Sequence, residues 1–206
     1  EVPKQFLEIN GKPVVVHAIE RISAAPSIDA VVLVLAAERV AEFDGRRADF
    51  PKLVAVVEGG STRAGSVLNG LNAVPRGCEV VAVHDGARPL VSVDDIEAVV
   101  GKAGETGAAC LVAAVTDTIK SVRGGEIAAT LDRDKLRRAL TPQAFKIEIL
   151  KRAFELSEVN DSVTDESYLV EKLGHPVAIV EGSARNIKIT RPEELIYAEA
   201  MLGRDP

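Results

Sequence analysis

Apolar runs and amphipathic stretches alternate along the chain through Val115. Ala30 to Leu35, Leu53 to Val57, Val80 to Val83 and Ala108 to Val115 carry no charge and are rich in valine. Runs of this kind read as strands buried on both faces. Between them the spacing turns helical. Val14, Ala18, Ile22 and Ala25 follow Pro13 and stop at Pro26. A short helix is expected around Arg39 to Phe43, and a further one carries Val67, Leu68 and Leu71. Asp94 and Asp95 open another, to about Ala103, with acidic residues at the favourable end of the helix dipole. Strand and helix in alternation predict an α/β fold: a doubly wound, mostly parallel Rossmann-like sheet with helices on both faces.

The alternation breaks at Thr116. Gly124-Gly125 separates two strand-like runs, Ile119 to Val122 and Glu126 to Leu131, which is a hairpin signal. Neither arm is apolar enough for the interior of a sheet. A lone hairpin is marginal in water, so residues 117–136 are expected to protrude and pack on a second subunit. Residues 1–12 read as loop, and Ala139 to Gln143 is assigned to no element. A helix follows from about Lys146 to Leu156, and another, with Thr164 as its cap, runs to Leu173 before Gly174. Val177 to Val180 and Ile187 to Thr190 read as strands, and Thr190 caps the last helix ahead of Pro192.

The 206 residues fit one domain, and a chain of that length can bury a core without disulfides or metal. Aromatics are 3% with no Trp, which argues against stacking platforms for single-stranded nucleic acid. A net charge of −6 argues against a general nucleic-acid binder, yet leaves room for a local basic pocket around one anionic ligand. Cys78 and Cys110 form no zinc or disulfide pattern, and a reducing cytoplasm fits best. No apolar run approaches the about 20 residues that span a bilayer.

Two strand ends carry the chemistry. Val80 to Val83 runs into His84-Asp85-Gly86-Ala87-Arg88-Pro89, where an open α/β sheet places its ligands. Gly59-Gly60-Ser61-Thr62-Arg63-Ala64-Gly65-Ser66 joins a strand to a helix, with Ser61 or Thr62 as cap and free N–H groups for an anion or a base edge. Lys4, Thr118, Lys120, Arg133, Thr141 and Lys188 add cations and hydroxyls near the ends of other runs. Cations aimed at phosphate, with one carboxylate for a divalent ion, make a phosphoryl- or nucleotidyl-transfer set. The nucleophile elbow, the dinucleotide fingerprint and the P-loop are all absent, so hydrolase, NAD and P-loop readings lack support. His17, His84 and His175 have no Ser or Cys nucleophile in a recognisable frame.

Seven segments stand in one order: P-K-Q-F at 3–6, G-G-S-T-R-A-G-S-V at 59–67, V-H-D-G-A-R-P at 83–89, V-T-D-T-I-K at 115–120, L-T-P-Q at 140–143, T-D-E-S at 164–167 and E-G-S-A-R-N-I-K-I-T-R-P at 181–192. In these the chain resembles the 2-C-methyl-D-erythritol 4-phosphate cytidylyltransferase family of the non-mevalonate isoprenoid route, from Pro3 to the last helix. Ribitol-phosphate cytidylyltransferases share several of the segments and are the alternative, as is a non-catalytic nucleotide-binding relative.

The resemblance implies a homodimeric, CTP-dependent nucleotidyltransferase, one domain over residues 1–206 with 117–136 as a dimerisation arm, and Mg²⁺ held mainly by the CTP phosphates. It implies Lys4 and Lys188 as catalytic, Lys4 offsetting charge on the α-phosphate. Gly60, Ser61, Arg63, Ser66 and Asp85 fall to the nucleotide, Asp85 also on the metal side. Arg88, Thr118, Arg133, Thr141 and Lys188 fall to the polyol phosphate, with Arg133 and Thr141 reaching the partner's site. His84 is then a structural hydrogen-bonder. The family also carries a strand and a glycine-rich P-A-A-G-x-G-x-R loop before P-K-Q, and this sequence opens at Glu1 without them. The expectation is that upstream residues are missing from the sequence, that a core with that strand's slot empty is poorly stable, and that these residues alone give little catalysis.

Overall fold

The computed structural model describes residues 3–157, 160 and 163–203. Glu1 and Val2, and the expectation about what precedes them, lie outside those residues. The first elements are a 3-10 turn over Lys4–Phe6, strands β1 (Glu8–Ile9) and β2 (Lys12–Pro13), helix α1 (Val14–Ala24), strand β3 (Val31–Leu35), helix α2 (Ala37–Asp44), strand β4 (Leu53–Glu58) and helix α3 (Arg63–Asn72). Then come β5 (Val80–Val83), α4 (Val93–Thr106), β6 (Ala108–Ala114), β7 (Lys120–Arg123), β8 (Glu126–Thr130) and β9 (Arg137–Lys146). The chain closes with α5 (Ile147–Glu155), α6 (Glu166–Lys172), β10 (Ala178–Glu181) and α7 (Pro192–Leu202).

The strands divide between two main sheets with helices on both faces. β3 and β4 pair in parallel. Leu33, Leu35 and Leu53 pack with α1, α2 and Phe6 on one side of that pair, and α3 approaches the other, where Gly70 lies against Val34. The second sheet has the order β10-β6-β9-β5. In β6 the side-chain alternation is plain: Ala109, Leu111 and Ala113 pack with Val99 and Ala103 of α4. Ala108 lies instead in the cluster of Phe145, Leu150, Leu169 and the α3 residues Ala64 and Leu71. Helix α3 thus packs on both sheets.

Several expectations are corrected. The α/β class holds, but the sheet is mixed where a mostly parallel one is expected: β3–β4 and β6–β10 are parallel, and β9 runs antiparallel between β5 and β6. The sequence shows no strand at residues 139–143 because β9 opens on charge and carries Pro142, which cannot donate to a ladder. The structure accommodates it where the β6 register shifts, Cys110 facing Gln143 and Val112 facing Ala139. β5 is half-buried, not buried on both faces. Among the described residues β3 and β5 each have one strand neighbour, and both strands line a single cleft of about 1030 Å³.

Smaller differences have local causes. Asn10 and Gly11 take positive φ, and their turn closes the short β1–β2 hairpin inside what reads as loop. Ile187 to Thr190 forms no strand: Ile189 donates its N–H to the Ala87 carbonyl and is buried with Ile9 and Val14. Asp165, not Thr164, caps α6 by accepting the Tyr168 N–H. Arg191 takes the cap position of α7, and the Glu194 carboxylate accepts both its N–H and the Thr190 hydroxyl. The β7–β8 hairpin forms around Gly124-Gly125 as expected, with Val122 and Ile127 largely exposed.

Candidate functional site

Asp85 is the electrostatic centre of the cleft. β5 ends at Val83, and the following turn folds back so that the Arg88 N–H meets the Asp85 carbonyl at 2.9 Å. Asp85 Oδ2 then accepts from Arg88 Nε at 3.2 Å and lies 3.0 Å from Lys188 Nζ. Its Oδ1 lies 3.7 Å from Arg63 Nη2. Burial alone pushes this carboxyl's pKa up, but Lys188, Arg63 and Arg88 outweigh that and hold it below its ordinary value. Arg88 also donates from Nη1 to the Asn186 carbonyl at 2.8 Å, so one guanidinium braces the turn after β5 to the segment that carries Lys188.

His84 and Thr141 support this turn from beneath. Thr141 is 4% exposed. Its hydroxyl lies 3.0 Å from His84 Nδ1, and its oxygen accepts the Asp85 N–H at 3.1 Å. His84 Nε2 is 3.0 Å from the Arg88 carbonyl, which can only accept. A proton is therefore on Nε2, and in the neutral ring Nδ1 accepts from Thr141. Burial pushes the imidazole down to about 4, against the opposing pull of the Arg88 carbonyl.

Helix α3 brings the second half of the site. Thr62 caps it, its Oγ1 accepting the Gly65 N–H at 3.0 Å. Ser66 Oγ donates to the Thr62 carbonyl at 2.9 Å and accepts the Gly60 N–H at 3.1 Å. Gly60 must be glycine: a Cβ there would sit 2.7 Å from the Gly65 carbonyl carbon. Arg63, in the first turn of α3, grips Glu166 through two parallel hydrogen bonds of 2.6 and 2.9 Å. The Glu166 side chain is fully buried, and burial raises its pKa against the pull of Arg63. Removing one partner of such a pair costs about 3–5 kcal/mol.

Lys4, Arg63, Ser66, Asp85 and Lys188 line the one cleft. Gly60 and Ser61 sit exposed in the turn that leads into α3. Thr141 lies below the cleft floor, its hydroxyl committed to His84 and Asp85 of its own chain. The reach of Thr141 to a partner's site is corrected accordingly. Thr118 and Arg133 are not brought to the cleft. Both are exposed at the base of the hairpin, where Arg133 Nη1 donates to the Thr116 carbonyl at 2.6 Å. Both Asp85 carboxylate oxygens face cations, and among the described residues no three His, Cys, Asp or Glu side chains gather to hold an ion, which fits a metal carried mainly by the nucleotide phosphates.

Sequence reasoning gave no role to Glu166, Gln143 or Asn186, all buried and polar. The signal lay in the L-T-P-Q and T-D-E-S segments and in the segment at 181–192 that carries Asn186, quoted for resemblance but not read for contacts.

Comparison with known proteins agrees with this geometry. The family model described as IspD, 2-C-methyl-D-erythritol 4-phosphate cytidylyltransferase, matches residues 1–204. A protein of that name from Desulforamulus reducens is 40% identical over 209 residues, covering 99% of this chain and 89% of its own. Another from Pelotomaculum thermopropionicum is 43% identical over 207 residues, covering 98% and 87%. The crystal structure of 4-diphosphocytidyl-2C-methyl-D-erythritol synthase from Anaerococcus prevotii superimposes with a TM-score of 0.88 at 29% identity, covering 97% of this chain and 93% of that one.

Proposed function

The chain belongs to the 2-C-methyl-D-erythritol 4-phosphate cytidylyltransferase family, and from that premise we propose how its cleft joins CTP to methylerythritol phosphate. The reaction gives 4-diphosphocytidyl-2-C-methyl-D-erythritol and pyrophosphate, a step of isoprenoid biosynthesis. A phosphate oxygen of the polyol phosphate attacks the α-phosphorus of CTP. The new P–O bond forms as the bond to the β-phosphate's bridging oxygen breaks, and pyrophosphate leaves. No group on the protein is modified, so the protein's task is alignment and charge compensation.

The observation that carries this reading is the convergence of Lys4, Arg63, Asp85 and Lys188 on one cleft. The turn at Gly60 and Ser61, held by Ser66 and supported by Arg63, receives the cytosine. Asp85 meets the ribose side and holds Lys188 in place. Lys4, exposed at the cleft, offsets the charge that builds on the α-phosphate. Lys188 positions the attacking phosphate, with Arg88 and Thr141 acting from behind it as braces.

Among the described residues no side-chain cluster forms a cage for a divalent ion. Mg²⁺ carried by the triphosphate would compensate phosphate charge. The arm at 117–136 pairs two copies of the single domain, and Thr118 and Arg133 then serve the neighbouring site. Among the described residues no helix is long and apolar enough to cross a membrane, and the reducing cytoplasm inferred from cysteine usage is the proposed compartment. The names of the relatives favour methylerythritol phosphate over ribitol phosphate.

The test is pyrophosphate release by the full-length protein from CTP, Mg²⁺ and methylerythritol phosphate, run beside ribitol phosphate. Release with the first substrate alone is expected. Turnover of ribitol phosphate instead moves the assignment, and CTP binding with no turnover of either favours a non-catalytic relative.

A further inference from the structure

Two of the seven shared segments, L-T-P-Q and T-D-E-S, meet in the interior. Gln143 Nε2 donates to Asp165 Oδ2 at 2.9 Å, and Gln143 Oε1 accepts the Ser167 N–H and hydroxyl, each at 3.0 Å. The first turn of α6 is thereby fixed to β9, and Glu166 lies between the two residues so fixed. Its carboxylate has one evident use, the paired hydrogen bonds to Arg63, 103 positions earlier in the chain.

Arg63 stands between two carboxylates. It is 2.6 Å from Glu166 and 3.7 Å from Asp85. Asp85 is already shared by Arg88 and Lys188. Three cations thus compete for two carboxylates, and Glu166 takes the guanidinium out of that competition. Without its charge the nearest acceptor for Arg63 is Asp85, at the expense of Lys188 and Arg88, and α3 would be drawn from its present seat. The turn at Gly60 to Ser66 is hydrogen-bonded to the first turn of α3, so it would follow.

We propose that Glu166 is a positioning residue for nucleotide binding, acting through Arg63 to hold the Gly60–Ser66 turn and to leave Asp85 to Lys188 and Arg88. This rests on the cytidylyltransferase reading for the identity of the nucleotide. It differs in sign from a plain charge effect. Replacing Glu166 with glutamine removes one negative charge beside an anion site, which by long-range attraction alone would tighten CTP binding. Positioning requires that binding weaken.

The experiment measures CTP affinity by calorimetry with Mg²⁺ present, and steady-state kinetics, for the full chain and for Glu166→Gln, Arg63→Gln and the double variant. Each single variant should raise both the CTP dissociation constant and its KM at least about tenfold, the size of effect that follows loss of one partner of a buried pair. The kcat should change less than KM. The double variant should be no weaker than the worse single one, because both act through one link. Tighter binding in Glu166→Gln, unchanged affinity, or multiplied losses in the double variant would overturn the proposal. Glu166→Asp guards against a variant that does not fold. It keeps the charge and shortens the reach, so a folded Glu166→Asp with weakened CTP binding supports positioning, and one with parent-like affinity overturns it. Full-length unsubstituted protein that binds CTP without releasing pyrophosphate sinks the transfer reading and leaves this test intact. Unsubstituted protein that binds no CTP overturns both.

Discussion

Thr141 and His84 meet over 3.0 Å, threonine hydroxyl to imidazole Nδ1, at a place where burial holds His84 neutral at the end of β5. A neutral buried imidazole makes stability depend on pH. Unfolded, the ring takes up its proton near 6.5; folded, it does so only at about 4. Between those values the unfolded state binds more protons, so stability rises with pH there. The contribution is complete above pH 6.5 and is lost as pH falls toward 4. The loss is at most about 3 kcal/mol. Urea midpoints for the parent and His84→Gln, taken across this range, should converge as the pH falls. Parallel curves would assign the acid sensitivity to other groups.

Gly60→Ala tests the turn that precedes α3. The added methyl meets Gly65 backbone at 2.7 and 3.0 Å, with no flexible side chain to give way. The turn must shift, at about 1–3 kcal/mol, and CTP affinity should fall with it. Gly101→Ala is the matched control: it lies inside α4, exposed, with nothing within 4 Å of the added carbon. That substitution should leave affinity alone and raise stability by about 0.5–1 kcal/mol. Thermal melts and calorimetry read both. A Gly60→Ala protein with parent affinity would remove this turn from the nucleotide site.

Lys4→Ala should cut turnover by about two orders of magnitude or more, as loss of a group that offsets charge only in the transition state does. Folding should persist, because the fold contact of that 3-10 turn is Phe6, packed on Phe43 with Arg39 over its ring at 4.1 Å. Arg133→Ala should weaken polyol phosphate binding. If the arm reaches the neighbouring subunit, mixing the two variants gives dimers with one intact site. Activity should then recover toward half that of the parent per mixed dimer. No recovery on mixing would place Arg133 outside a shared site.

The sequence was a good guide where a strand is an apolar run and a poor one where polar groups enter the core. β3, β5, β6 and β4 as far as Val57 are uncharged valine-rich or alanine-rich runs, and all four were legible. β9 was not: Thr141, Pro142 and Gln143 sit buried in its middle, and polar residues plus proline give no strand signal. Their burial is tolerable because each finds a fixed use, Thr141 with His84 and Asp85, Gln143 with Asp165 and Ser167. The same blindness hid Glu166. A carboxylate at a helix start reads as a dipole partner facing water, and only the fold places Arg63 against it.

That ion pair has a mechanical side. Helix α3 leans on both sheets, and the cleft is lined by β3 of one and β5 of the other. Gly60 and Ser66 follow from β4 in one sheet; Asp85 follows from β5 in the other. The site is thus a gauge set across a seam, and the Arg63–Glu166 grip is the strap that resists shear between its sides. Packing changes deep in either sheet, remote from any phosphate, will register as softened nucleotide binding before they register as unfolding.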